Sequence, residues 1–192
     1  MGMREGRLFG KPARIYRVSY SGELTYEINV PADQGRKLWD AILEEGAAPY
    51  GVEALLLMRM EKGFLNLGAD TDGTTIPDDI GWGKVAASKA THYIGKRSLS
   101  LPENTRPDRF QLVGLISDTD LPIGSHLRLA SSSHATDGWV TSCGRSVLED
   151  RPIALAMLRA GRQHQDGIVT IHDNGQVAAR AIHHHVGHVV AD

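Results

Sequence analysis

Only one cysteine stands in these 192 residues, and no apolar run approaches the roughly 18 residues of a membrane-spanning helix. The lone Cys143 excludes an internal disulfide framework and fits a reducing compartment, read here as the cytoplasm. A basic excess is missing too. The net charge of -2 gives no case for binding nucleic acid or an anionic membrane surface. Neither GxGxxG nor GxxxxGK[ST] occurs, so no nucleotide-phosphate loop is visible. The opening MGMREGRLFGKPARIYR has no apolar h-region and is not read as a secretory signal. Position 6 is Gly rather than Ser or Thr, so Gly2 is not read as a myristoylation site. What is present is ordinary for a soluble globular chain: 41% hydrophobic and 23% charged residues, enough to bury a core, with no internal repeat.

The apolar patterning predicts an α+β chain that changes character along its length. IYRVSY (15–20) places Tyr16, Val18 and Tyr20 on one face of a half-buried strand. After a Ser21-Gly22 turn, Leu24, Tyr26, Ile28 and Val30 alternate with Glu23, Thr25, Glu27 and Asn29, which predicts an antiparallel hairpin. Pro31 and Asp33 suit the first turn of a helix carrying Leu38, Ala41 and Ile42, stopped at Gly46. GVEALLLMRMEK (51–62) predicts a second helix closed by Gly63. Residues 64–82, rich in Gly, Asp and Thr, read as an ordered loop or a lid, and a further helix is expected to begin near Gly95. PENTRPDR (102–109) reads as a linker between a domain of residues 1–101 and one of residues 110–192. Beyond it come short strands: FQLVGLIS, HLRLA, GWVTSC, IALAML and a closing hairpin around Asn174-Gly175. They predict a small barrel or sandwich.

Candidate chemistry is sparse. Alternation alone makes Glu27 a solvent-face residue of an amphipathic strand. The chemical alternative is a ligand carboxylate. A rigidly held carboxylate accepts two parallel hydrogen bonds from a ring N–H and its adjacent amino group, the donor pair on the edge of a pterin or guanine. Glu23, beside the turn, suits that contact less well. Asp70, Asp72, Asp78 and Asp79 lack the spacing of a calcium loop and read as turn chemistry. His183 and His185 share a strand face, but no carboxylate lies beside them in the sequence, and no metal site is assigned. Cys143 has no sequence-adjacent base, and both it and Ser142 read as structural.

SYSGELTYEI resembles the G-Y-T-G-E-x-x-x-E-I segment of the glycine-cleavage T-protein (aminomethyltransferase) family. A closer resemblance is to the carboxy-terminal folate-binding region of heterotetrameric sarcosine oxidase alpha subunits. It rests on REGRLFGKPARIYRVSYSGELTYEINVPAD, MRMEKGF, GADTDGTTIPDDIGWGK, YIGKRSL and RPDRFQLVGL, taken in that order. The resemblance covers nearly the whole chain, most densely up to about Gly114. GWVTSCGRS also resembles a segment of the family's carboxy-terminal barrel, whereas the histidine-rich end does not match the family's usual ending. Leu55 stands where T-proteins carry an arginine, and sarcosine oxidase-like members also lack that arginine.

The resemblance implies a partial T-protein folate-binding domain, an antiparallel sheet with flanking helices, followed by the small all-β barrel. It implies that Glu27 grips the pterin ring of tetrahydrofolate and that Tyr20 lines the same pocket. It implies one-carbon transfer to tetrahydrofolate, giving 5,10-methylenetetrahydrofolate. Family members place a long amino-terminal half before this segment, and it supplies the catalytic region. No catalytic residue is therefore expected here, and folate binding by the isolated chain is expected to be weak or absent. The expected partners are that amino-terminal half, other oxidase subunits, or a second copy. The alternative reading is a non-catalytic assembly or docking module of the same fold, its unpaired strand edges covered by a partner.

Overall fold

The computed structural model describes residues 2–173 and 176–184, with side chains through His172. The described residues form two compact units that part between Arg59 and Met60.

The first unit holds a three-stranded antiparallel sheet, β1 (Gly2–Leu8), β2 (Lys11–Arg17) and β3 (Tyr26–Asn29), in that order. Strand β1 was not predicted. Its sequence GMREGRL lacks apolar alternation, and all but Leu8 is exposed. The ladder to β2 and the Arg14–Glu5 ion pair of 3.1 Å hold it instead. The hairpin of β2 and β3 is antiparallel as expected, but β2 begins and ends earlier than predicted. Its inward residues are Ala13 and Ile15, with Ile28 opposite Ile15. Tyr16 therefore lies on the other face, which corrects its expected grouping with the apolar side. The cause is the longer connection: the chain bends over residues 20–24, so the strand parity does not run through to Tyr20.

A short 3-10 turn (Ala32–Gln34) leads into helix α1 (Gly35–Glu44). It stops where predicted, at Gly46. That residue adopts φ +89°, a conformation open to glycine, while Gly46 N and Ala47 N donate to the carbonyls of Leu43 and Ile42. Helix α1 is strongly amphipathic in sequence yet buries no residue. Helix α2 (Val52–Glu61) likewise ends before Gly63, as predicted.

The second unit begins with the predicted ordered loop of residues 64–82. A short helix α3 (Gly83–Ser88) follows, which the sequence had not suggested. The helix expected near Gly95 is a 3-10 turn (Lys96–Ser100), followed by another (Pro102–Thr105). Segment 102–109 lies inside this unit, where Arg109 Nε donates to Asp79 at 2.8 Å.

Six strands then close a barrel: β4 (Phe110–Ser117), β5 (His126–Leu129), β6 (Gly138–Arg145), β7 (Pro152–Arg159), β8 (Ile168–Asp173) and β9 (Gln176–His184). Their order is β4-β7-β6-β5-β8-β9, and β9 pairs back onto β4, so the barrel alternative is the one observed. Among the described residues each strand of the barrel has a partner on both sides. The interior stacks Val113, Leu115, Leu127, Leu158, Val169 and Ile171, each at most 1% exposed. Small residues face large ones: Ala156 is opposite Val113 and Ala154 is opposite Leu115, so the layers interdigitate. At Gly138 a Cβ would stand 2.0 Å from the Met157 carbonyl oxygen, so only glycine lets β6 approach β7 there. The predicted Asn174-Gly175 turn and His185 and His188 lie outside the described residues. No helix among the described residues is long and apolar enough to cross a membrane.

Candidate functional site

Strand β3 is four residues long and sets the orientation of Glu27 by register. Glu27 pairs with Tyr16, and Asn29 pairs with Arg14. Directly opposed residues share a face, as do residues two apart, so Glu27, Tyr16, Asn29 and Arg14 occupy one side of the sheet. Glu27 is exposed and Tyr16 is half-buried. At the end of this face a cleft of about 430 Å³ is lined by Glu5, Arg14, Asn29 and Pro31 among others. Glu27 stands one pleat away from Asn29. A carboxylate at this position has both oxygens available to a planar pair of donors.

Tyr20 sits in the connection between β2 and β3 and is 38% exposed. That connection is braced rather than slack. Gly22 N donates to Ser19 Oγ at 2.8 Å, Glu23 N donates to Ser21 Oγ at 3.3 Å, and the Thr25 hydroxyl donates to the Val18 carbonyl. Glu23 remains in the turn, as expected. The sequence reading missed Tyr16 as the aromatic neighbour of Glu27. Taking the strand parity from Ala13 and Ile15 instead of from Tyr16, Val18 and Tyr20 finds it.

The acidic loop does more than turn chemistry. Asp72 fits that expectation: its carboxylate accepts from the amides of Thr74 and Thr75 and from both hydroxyls. Those donors, the Thr74 hydroxyl foremost, hold its pKa below the usual carboxylate range. Asp70, only 1% exposed, accepts from Asn66 N at 2.7 Å and from the hydroxyls of Thr141 and Ser142 on β6. Asp79, 2% exposed, takes the Arg109 guanidinium with both oxygens and the amide of Ile76. That bidentate pair raises the Arg109 pKa. Leu112 N donates to the Asp79 carbonyl at 2.8 Å, so the loop is fastened along β4 as well. Residues 64–82 are thus an anchored loop. Among the described residues no cluster of histidine, cysteine and carboxylates is arranged to hold a metal ion. Burial pushes the Cys143 thiol up, in keeping with an unreactive side chain.

Residues 1–89 match the family model of the GCVT N-terminal domain. The chain is 37% identical over 185 residues to the sarcosine oxidase subunit alpha of Corynebacterium sp. (strain P-1), covering 88% of this chain and 18% of that protein. It is 30% identical over 171 residues to an aminomethyltransferase of Nitrosomonas eutropha, covering 88% of this chain and 46% of that one. Among solved structures, the glycine cleavage system aminomethyltransferase T of Bartonella henselae superimposes with a TM-score of 0.73 at 25% identity. That match covers 90% of this chain and 48% of its length. The chain therefore spans less than half the length of these relatives. Residues 1–89 thus resemble a GCVT N-terminal domain, and the chain is similar to part of sarcosine oxidase alpha subunits and aminomethyltransferases and shares the fold of the matched part of aminomethyltransferase T.

Proposed function

We propose that this chain is the carboxy-terminal, pterin-gripping share of a cytoplasmic, folate-dependent one-carbon transfer protein of the sarcosine oxidase alpha subunit type. The observation that carries the reading is the placement of Glu27. It lies on a rigid strand within the segment matched to the GCVT domain, exposed, with an aromatic ring opposite it. A carboxylate so held accepts the paired N–H donors of a pterin edge, and Tyr16 adds a flat apolar neighbour. Tyr20, in the braced connection, lines the same pocket. Residues 1–101 belong to the folate-binding part and residues 110–192 to the barrel, with 102–109 between them.

The reaction is transfer of a one-carbon unit from an amine-bound donor to tetrahydrofolate, giving 5,10-methylenetetrahydrofolate. This chain's share is binding and orientation. Glu27 fixes the ring so that its nitrogens meet the reacting carbon, and the β2–β3 ladder with its braced connection holds that carboxylate in place. The catalytic region and the exclusion of water come from an amino-terminal half like that of the longer relatives. The purified chain is then expected to bind tetrahydrofolate weakly and to show no aminomethyltransferase or sarcosine-oxidising turnover. Measured turnover by the chain alone would overturn this division of roles.

A second reading, an assembly module without turnover, draws support from the apolar surface of the first unit. Trp39 is 52% exposed, and Ile42 and Leu43 are each 38% exposed on one helix that buries nothing. It predicts a dimer or a co-purifying polypeptide by light scattering. A clean monomer would count against it.

A further inference from the structure

A second cavity lies wholly within the second unit, between the anchored loop and the outer face of the barrel. Its volume is about 350 Å³. Its floor is apolar and flat: Phe110, Trp139 and Met157 come from adjacent strands β4, β6 and β7. The Phe110 and Trp139 rings sit 4.9 Å apart, tilted by 59°. Guanidinium groups of Arg106, Arg109 and Arg159 line it as well.

These three cations are engaged very differently. Arg109 is taken up by Asp79 on both sides of its fork and also donates to the carbonyls of Thr74 and Glu103. Arg106 is held by Asp108 and Glu103 through contacts of 2.8 to 2.9 Å. Arg159 is not. Its guanidinium lies over Phe110 at 4.7 Å, and its one ion pair among the described residues runs from Nη1 to Asp108 at 3.5 Å. Asp108 already takes Arg106 on both oxygens at short distance. The Arg159 Nε is buried and donates to nothing among the described residues. That Nε is sealed from solvent and closed to a ligand, so a carboxylate meets the fork at its Nη groups, which among the described residues hold only the long Asp108 pair. The acidic residues of the cavity are already engaged. Asp70 and Asp79 are buried and bonded, Asp72 is held by Thr74 and Thr75, and Asp108 carries Arg106.

We infer that this cavity binds a small carboxylate bearing one flat apolar ring, the carboxylate on the Nη groups of Arg159 and the ring on Phe110 and Trp139. The stacked guanidinium is pre-set for that contact, because Phe110 fixes its plane. This inference rests on none of the residues assigned to the pterin and stands or falls separately from that reading.

Sodium benzoate is the probe, titrated calorimetrically into the full chain, with sodium acetate and inorganic phosphate as comparators. Saturable benzoate binding is expected, weakened at least about tenfold in Arg159→Met and at least about tenfold weaker for acetate. Asp108→Asn removes the negative charge beside Arg159 and is expected to tighten benzoate several-fold, a gain that misfolding does not mimic. Absence of saturable binding by the wild-type chain would overturn the site. So would binding that neither substitution changes. Equal affinity for acetate and benzoate would remove the aromatic floor from it.

Discussion

In residues 2–59, helix α1 leaves more than a third of Trp39, Ile42 and Leu43 exposed, whereas in the barrel Leu127, Leu158, Val169 and Ile171 are sealed from water. Among the described residues, Ala13 is the one buried apolar side chain of the first unit. The two regions use similar residue types to different ends. The barrel closes its ladder and buries its own core, so its stability is self-contained. The first unit keeps a sheet face and a helix face accessible, and the candidate pterin carboxylate is on that sheet. The first unit offers surface to a ligand or partner, and the barrel offers a core that stands by itself.

The largest expected effect tests this contrast directly. Leu158→Ala is expected to lower the barrel's unfolding free energy by about 3 kcal/mol, through lost transfer energy and a cavity. Leu43→Ala on α1 is expected to change stability by less than about 0.5 kcal/mol. Chemical denaturation of both variants measures the difference, and equal losses would erase the comparison. Next comes the fastening of the loop. Arg109→Met leaves the buried Asp79 carboxylate without its cation, an expected loss of about 2 kcal/mol, moderated because Arg109 is itself partly in water. Limited proteolysis should then cut within residues 64–82. Resistance equal to wild type would show that the Asp70 contacts and the Leu112–Asp79 backbone bond secure the loop without Arg109.

The smallest effect is a pH dependence. Asp72 has a depressed pKa in the folded chain, so its contribution is fully present above its unfolded value near 3.8 and is lost as pH falls through the folded value. Asp72→Asn is therefore expected to flatten the acid limb of the stability profile and to leave its slope near neutrality unchanged, because Asp72 is ionised there in both states. An unchanged acid limb would mean that the Thr74 and Thr75 contacts do not favour the charged form.

The barrel was the more legible region. Its strands alternate or run apolar between glycine turns, and each of FQLVGLIS, HLRLA, GWVTSC and IALAML falls on an observed strand. Both helix stops at Gly46 and Gly63 followed from the left-handed conformation that glycine supplies. Strand β1 was invisible because both its faces are wet, so no period marks it. The parity of β2 was misread because its aromatic residues cross from the strand into a bend. Asp70 and Asp79 looked like loop residues because their barrel partners, Thr141, Ser142 and Arg109, lie 30 or more positions away. Nothing in the local pattern distinguishes Glu27 from a surface residue. Its assignment rests on the family motif, and the structure adds the face on which it stands and the ring beside it.

The proposed pterin contact depends on the Glu27 carboxylate. Calorimetric titration of tetrahydrofolate into the wild-type chain and into Glu27→Gln tests it most directly. The substitution keeps the shape of the side chain and removes its charge. Weak but saturable binding to the wild type, reduced at least about tenfold in the variant, is the predicted result. Equal affinity in the two proteins would contradict it and take Glu27 out of the site.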